Sequence, residues 1–167
     1  MNQSVFPLLH LDGELAPSGY WNRALLYGDG LFETMLWVDG AVALWPWHWQ
    51  RLDRGCQRLG LSTPDEDALL EECREAIAQE REQSADENSA RVIRLTVFRA
   101  HMGARGYRTG GVKTTHRLIS VHSVPGGQGL ALDVGLSTVR LGWQPLLGGL
   151  KHFCLLYTSP SPRDVSR

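Results

Sequence analysis

Short apolar stretches bounded by turn residues predict most of the strands in this chain. Residues 31–38 and 41–44 are two apolar segments around Asp39-Gly40, a dipeptide that favours the tight turn of a β-hairpin. In residues 91–98, Ile93, Leu95 and Val97 lie on one side of the predicted strand. Further strands are predicted at 5–10, where Asp12-Gly13 would close a second hairpin, and at 116–123 and 130–139.

Two other stretches show the three- and four-residue spacing of amphipathic helices. The first opens at Pro46, ends at Gly60 and carries Trp49, Leu52, Cys56 and Leu59 on its apolar side. Thr63 is the predicted N-cap of the second helix, with Pro64 at its first position and Glu66 at the third. The apolar face of that helix carries Leu69, Leu70, Cys73 and Ile77, and its pattern fades into the polar residues 79–89.

Hairpins mixed with helices, rather than repeated β-α-β units, predict a two-layer α+β fold. We assign this domain to residues 1–122, a glycine-rich linker to 123–129, and the start of a second, incomplete domain to 130–154. Residues 155–167 are rich in serine, proline and arginine and have no periodicity. We expect them to be a non-native tail that interrupts the natural chain near Cys154.

Composition narrows the class of protein. The 167 residues are 43% hydrophobic and 21% charged, which is typical of a globular protein. A net charge of -1 gives no electrostatic reason to expect a nucleic acid or an anionic membrane as partner. Three cysteines suit a reducing compartment, and neither a signal peptide nor a membrane span is indicated, so a cytoplasmic location is predicted. The histidines and cysteines lack metal-ligand spacing, so no metal site is predicted.

Four motifs occur in a fixed order along the chain. They are Tyr-Gly-Asp-Gly-Leu-Phe-Glu-Thr at 27–34, His-Trp-Gln-Arg-Leu at 48–52, Arg-Gly-Tyr at 105–107, and Val-Arg-Leu-Gly at 139–142 followed by Gly-Leu-Lys-His at 149–152. As an ordered set over about residues 21–153, they resemble the fold-type IV pyridoxal-phosphate enzymes. Within that group the chain looks most like the 4-amino-4-deoxychorismate lyases.

This resemblance implies a fold, a cofactor and a set of site residues. The fold would be the N-terminal two-layer α+β domain of these enzymes, the cofactor pyridoxal 5′-phosphate and the assembly a homodimer acting on a small-molecule substrate. Lys151 would bind the cofactor and transfer protons, and Arg51 would contact the cofactor phosphate. Thr34, Arg105 and Tyr107 are the residues expected at the substrate.

The residues themselves set limits on these roles. A lysine that reacts as an amine must be able to lose its proton, which burial or neighbouring cations favour. Lys113 and Lys151 are the two lysines among 17 basic residues, and leucines and glycines precede Lys151. Because neighbouring residues of a strand face opposite sides, only one of Glu33 and Thr34 can face a pocket. Arg51 is equally well a solvated helix arginine, and Arg105 and Tyr107 equally well lie at a hairpin tip.

Three functions remain open at this point. The first is a lyase that converts 4-amino-4-deoxychorismate to 4-aminobenzoate and pyruvate in folate biosynthesis. The second is a branched-chain or D-amino acid aminotransferase of the same fold, and the third a non-catalytic α+β module that associates with itself. The cofactor contacts that these enzymes place after the lysine have no counterpart before residue 155. We therefore expect this polypeptide alone to be inactive or unstable.

Overall fold

A computed structural model of the chain describes residues 10–11, 14–15, 22–83, 89–100, 107–124, 135–136, 145 and 147–153. Its elements are β1 His10–Leu11, β2 Glu14–Leu15, α1 Arg23–Tyr27, β3 Gly30–Val38, β4 Ala41–Val42, α2 Trp45–Leu59, α3 Glu66–Gln83, β5 Arg91–Arg99 and β6 Thr115–Ser123. β1 and β2 pair as a small antiparallel hairpin. The other four strands form one antiparallel sheet in the order β4-β3-β5-β6, which confirms the α+β class.

The β3–β4 turn has the geometry that its dipeptide predicts. Asp39 and Gly40 both have positive φ angles, 52° and 77°, as a two-residue turn matched to the twist of a hairpin requires. β4 is shorter than the predicted 41–44, because the chain turns at Leu44 into α2. α2 ends where predicted, since Gly60 is left-handed at φ 63° and its N–H caps carbonyls of the last turn.

The start of α3 corrects one prediction. The helix begins at Glu66, and the side chain of Asp65 accepts the N–H of Ala68 at 2.9 Å, so Asp65 is the N-cap. The predicted cap, Thr63, is wrong by two residues. Its hydroxyl donates instead to Oδ1 of Asp53 on α2, at 2.7 Å.

The core lies between one face of the sheet and the two long helices. Odd-numbered residues of β3 and β5 face α2 and α3, because side chains alternate along a strand. We call the opposite side of the sheet the far face; it carries Phe32, Thr34, Arg94 and Thr96. The buried core cluster consists of Leu31, Met35, Trp37, Val42, Leu52, Cys56, Leu61, Leu69, Cys73, Ile77, Ile93, Leu95 and Val97.

Several predictions fall wholly or partly outside the described residues. They concern positions 5–9 of the first strand, most of the linker at 123–129, all but 135–136 of the strand at 130–139, Arg105, and the tail at 155–167. The domain boundaries therefore stay predictions. α1, whose five residues are too few for a periodic pattern, was not predicted. None of the helices described has the length and apolar character needed to cross a bilayer.

Candidate active site

A buried carboxylate on β3 holds two basic side chains of α2. Glu33 faces the helices and is 1% exposed. Its Oε1 accepts Nε of Arg51 at 2.7 Å, and its Oε2 accepts Nη2 of the same guanidinium and lies 2.7 Å from Nδ1 of His48. His48 and Arg51 lie one helical turn apart, so α2 brings both to the same carboxylate.

This arrangement fixes Arg51 without burying it completely. The hydrogen bond to Glu33 raises the pKa of Arg51, so the guanidinium stays charged. The side chain of Arg51 nevertheless remains 38% exposed, against 2% for that of Glu33. Arg51 is therefore held by two nitrogens and can still meet an anion from the solvent side, for which a guanidinium is well suited.

Residues 151–153 join the sheet beside the first half of β3. The N–H of Phe32 donates to the carbonyl of Lys151 at 3.0 Å, and the N–H of Phe153 donates to the carbonyl of Gly30 at 3.1 Å. Leu31 and His152 form an antiparallel bridge between these two hydrogen bonds. Because residues that lie opposite each other share a face, Lys151 points to the far face with Phe32.

The ring of Phe32 is the centre of this part of the far face. Nζ of Lys151 lies 5.0 Å from its centroid, and Cζ of Arg94 on β5 lies 4.3 Å from it. The ring of Phe153 stacks beside it, with 5.8 Å between the centroids. One apolar ring thus carries two cationic side chains from opposite sides of β3.

The surroundings of Lys151 favour its neutral form. Burial lowers the pKa of its amine; the charge of Glu33 opposes this change, and Arg51 and Arg94 add to it. Among the described residues, no hydrogen bond or ion pair reaches this amine. Lys151 is therefore a partly buried, unpaired amine in a positively charged neighbourhood, which is a suitable setting for a nucleophile or a base.

The structure brings some of the predicted site residues together and separates others. Arg51 and Lys151 lie close enough to influence each other electrostatically. Thr34 is exposed on the far face and pairs in register with Arg94, so Thr34 rather than Glu33 is the one that faces outward. Tyr107 is 84% exposed, and its ring contacts Tyr27 at 5.5 Å. No hydrogen bond or ring contact of the described chain joins Tyr107 to Lys151.

Sequence reasoning missed two contributors to this site. Arg94 interrupts an apolar strand, and the alternation that places Ile93 and Leu95 in the core places Arg94 on the other face. That signal was present in the sequence. The pairing of Glu33 with Arg51 was not readable, because nothing local indicates which helix side chain lies over a strand residue.

The described residues match the chemistry of an aldehyde-bearing anion. An unpaired amine is available to react with an aldehyde, and Arg51, exposed on one side, is available to bind a phosphate. The buried carboxylate of Glu33 already faces Arg51 and His48. Pyridoxal 5′-phosphate, predicted from the motifs, carries both an aldehyde and a phosphate.

Comparison with known proteins supports the family that the motifs indicate. Residues 30–157 match the model of the amino-transferase class IV family. The chain is 31% identical over 135 residues to an aminodeoxychorismate lyase of Vibrio harveyi, a match that covers 78% of this chain and 46% of that protein. The chain thus spans about half the length of the curated relative that it matches.

Solved structures agree with the sequence matches. The fold superposes on 4-amino-4-deoxychorismate lyase from Pseudomonas aeruginosa with a TM-score of 0.66 and 34% identity, over 84% of this chain and 50% of that one. A hypothetical aminotransferase from Mycobacterium tuberculosis, bound to alpha-ketoglutarate and PMP, gives a TM-score of 0.50 and 26% identity over 75% of this chain and 37% of that one. Enzymes of this family depend on pyridoxal phosphate, the cofactor predicted from the motifs. The motif order, the placement of Lys151 beside β3 and these matches agree: the chain belongs to the class IV aminotransferase family, with the fold of the fold-type IV enzymes.

Proposed function

We propose that this chain is the lysine-bearing part of an aminodeoxychorismate lyase, which converts 4-amino-4-deoxychorismate to 4-aminobenzoate and pyruvate in folate biosynthesis. The enzyme would use pyridoxal 5′-phosphate and act as a cytoplasmic homodimer. The similarity to two lyases at 31% and 34% identity supports the choice of this reaction within the family. The observation that carries the proposal is the unpaired, partly buried amine of Lys151 on the far face.

Two residues would hold the cofactor. Lys151 would bind it through the aldehyde, and Arg51, exposed on one side and fixed by Glu33 on the other, would bind the phosphate. When bound, the cofactor supplies an electron sink for the carbon that carries the substrate amine. Each role uses a group that the contacts within the described chain leave available.

The remaining chemistry belongs to the protein side chains. In its neutral form, Nζ of Lys151 can accept the proton lost from the ring carbon that bears the substrate amine, and can later return a proton. The ring of Phe32, with that of Phe153 stacked beside it, lies on one side of this amine. The substrate carries two carboxylates, and the positive charges of Arg51 and Arg94, which both act on Lys151, favour an anion near this amine. Thr34, Arg105 and Tyr107 are the proposed substrate contacts.

Covalent trapping tests the cofactor assignment on the chain as it is. The protein is incubated with pyridoxal phosphate, reduced with borohydride and digested, and the tagged peptide is identified by mass spectrometry. We expect the tag on Lys151 and little on exposed Lys113, the other lysine of the chain. A tag confined to Lys113 or to the N-terminus would remove the assignment.

A helix arginine provides the matched control for the phosphate site. Arg51→Gln should weaken cofactor attachment by about 10- to 100-fold, since it removes a charge-assisted contact worth roughly 1.5–3 kcal/mol. Arg54→Gln removes the same charge from an exposed position on the same helix and should change attachment less than about twofold. Equal effects of the two substitutions would mean that Arg51 acts only through net charge.

A product assay separates the lyase from an aminotransferase. Because the chain spans about half the length of its relatives, residues 1–153 are joined to the C-terminal half of the Pseudomonas aeruginosa lyase. We expect this fusion to release 4-aminobenzoate and pyruvate from 4-amino-4-deoxychorismate, and the Lys151→Ala fusion to release neither. Exchange of amino groups between an amino acid and a 2-oxo acid, without lyase products, would identify an aminotransferase instead.

A further inference from the structure

Two cationic side chains share the ring of Phe32. Arg94 approaches it from β5, with Cζ 4.3 Å from the centroid, and Lys151 approaches it from the opposite edge of β3, with Nζ at 5.0 Å. The electron-rich face of an aromatic ring attracts a cation placed over it. The ring therefore holds two positive charges near each other, although like charges repel.

Lys151 faces charges of both signs. Among the residues that the structure describes, the charged groups that act on it are Glu33 on β3, Arg51 on α2 and Arg94 on β5. Glu33 lies in a short ion pair with Arg51 and also contacts His48, and its negative charge opposes the effect of the two arginines on Lys151. Arg94, in contrast, makes no ion pair with any residue that the structure describes. Replacing Arg94 therefore leaves the Glu33–Arg51 pair in place, so the effect of its charge on Lys151 can be measured separately.

We propose that Arg94 is a positioning residue that favours the neutral, reactive form of the Lys151 amine, with the ring of Phe32 holding both groups beside it. This role rests on the proposed function, in which Lys151 reacts as an amine and transfers protons. Arg94 acts through Lys151, because a positive charge beside an ammonium makes protonation less favourable. Only the charge of Arg94 is needed for this effect, so lysine at position 94 should preserve it.

Competitive acetylation measures the effect without any cofactor. The folded chain is treated with a trace of acetic anhydride over a range of pH, and acetylation of each lysine is followed by peptide mass spectrometry. Only the neutral amine reacts, so the pH dependence gives the protonation midpoint of each lysine. Exposed Lys113 is an internal standard in the same sample.

Removal of the charge should raise the midpoint of Lys151. In Arg94→Gln we expect a rise of about half to one pH unit, the size of the repulsion between two unit charges at a partly buried site. Acetylation of Lys151 below its midpoint should then fall by about three- to tenfold relative to Lys113. Arg94→Lys should leave the midpoint of Lys151 within about 0.2 unit of the unsubstituted chain, because it keeps the charge.

Two controls distinguish this role from a structural one. Arg74→Gln removes an equal charge from an exposed site on α3 and should leave the Lys151 midpoint unchanged. Arg94→Met is measured beside Arg94→Gln, and circular dichroism identifies any variant that has lost its fold. An unchanged midpoint in the folded charge-removing variants, or a midpoint in Arg94→Lys as high as in Arg94→Gln, would overturn the proposal.

The outcome is independent of the cofactor test. A raised midpoint in Arg94→Gln together with no pyridoxal-phosphate tag on Lys151 would support the electrostatic role and reject the proposed function. A tag on Lys151 together with an unchanged midpoint would keep the proposed function and reject the role of Arg94.

Discussion

Gly30 lies where three parts of the chain meet, and adding a single methyl group there tests the packing of residues 151–153 against β3. A Cβ at this position would lie 2.6 Å from Cε2 of Phe153, 2.6 Å from the carbonyl oxygen of Val97 and 2.8 Å from Cβ of Phe98. Two of these three atoms belong to the body of β5 and cannot move without opening the β3–β5 pairing. Gly30→Ala therefore cannot be relieved by a side-chain rotation.

The expected cost is large for one methyl group. Overpacking in a well-packed interior costs about 1–3 kcal/mol, and a contact with backbone in a paired strand belongs at the upper end. We expect Gly30→Ala to lower the free energy of unfolding by about 3 kcal/mol, measured by urea denaturation with an unchanged dependence on urea concentration. The displaced Phe153 ring should also bring the acetylation of Lys151 closer to that of Lys113.

Two other glycines provide a graded control. Gly135→Ala places its methyl group in open space and should change stability by less than about 0.5 kcal/mol. Gly55→Ala meets the flexible end of Leu31 at 2.7 Å, and the gain of about 1 kcal/mol in helix propensity partly offsets that contact. If Gly30→Ala costs no more than Gly135→Ala, the close seating of residues 151–153 against β3 is wrong.

Three further sets of substitutions test other parts of the structure by the same urea assay. Glu33→Gln should lower the free energy of unfolding by about 2 kcal/mol, because it weakens charge-assisted bonds at a buried site. Glu72→Gln, in a part-exposed ion pair, should lower it by less than about 1 kcal/mol, and equal costs would contradict the buried pairing. Asp65→Ala should cost about 1 kcal/mol and Asp65→Asn much less, unless Asp65 is not the cap of α3. Burial raises the pKa of Cys56 and of Cys73 to about 11 from 9.0. The stability that each buried thiol contributes below pH 9 should therefore be lost as the pH rises through 11, by about 3 kcal/mol for each thiol. A variant with both Cys56→Ala and Cys73→Ala should lose that pH dependence, and an unchanged dependence would contradict the burial.

The elements with strong local signals were predictable from the sequence. The Asp39-Gly40 turn, the glycine end of α2 and the core side of β5 depend on backbone preference and periodicity, which neighbouring residues determine. The start of α3 was misplaced because Thr63 and Asp65 both carry capping side chains. The choice between them depends on Asp53, which belongs to another helix and attracts the hydroxyl of Thr63.

The candidate site was predictable only in part. The motifs identified Lys151 and Arg51, but the partners of those residues depend on tertiary contacts that no local pattern encodes. Glu33 reaches Arg51 across the interface between sheet and helix, and Arg94 reaches from β5 to Phe32 on the neighbouring strand β3. Each of these contacts joins residues from two separate elements.

The segment formed by residues 151–153 has a consequence for the order in which the chain acquires reactivity. Its hydrogen bonds to Gly30 and Phe32 close the longest loop in the described chain, and such long-range contacts carry a high entropic cost before they are formed. Until that closure, Lys151 is an ordinary solvated lysine, protonated at neutral pH. An emerging or partly folded chain should therefore capture an aldehyde more slowly at this position, so that enhanced reactivity of Lys151 reports the docking of residues 151–153 against β3.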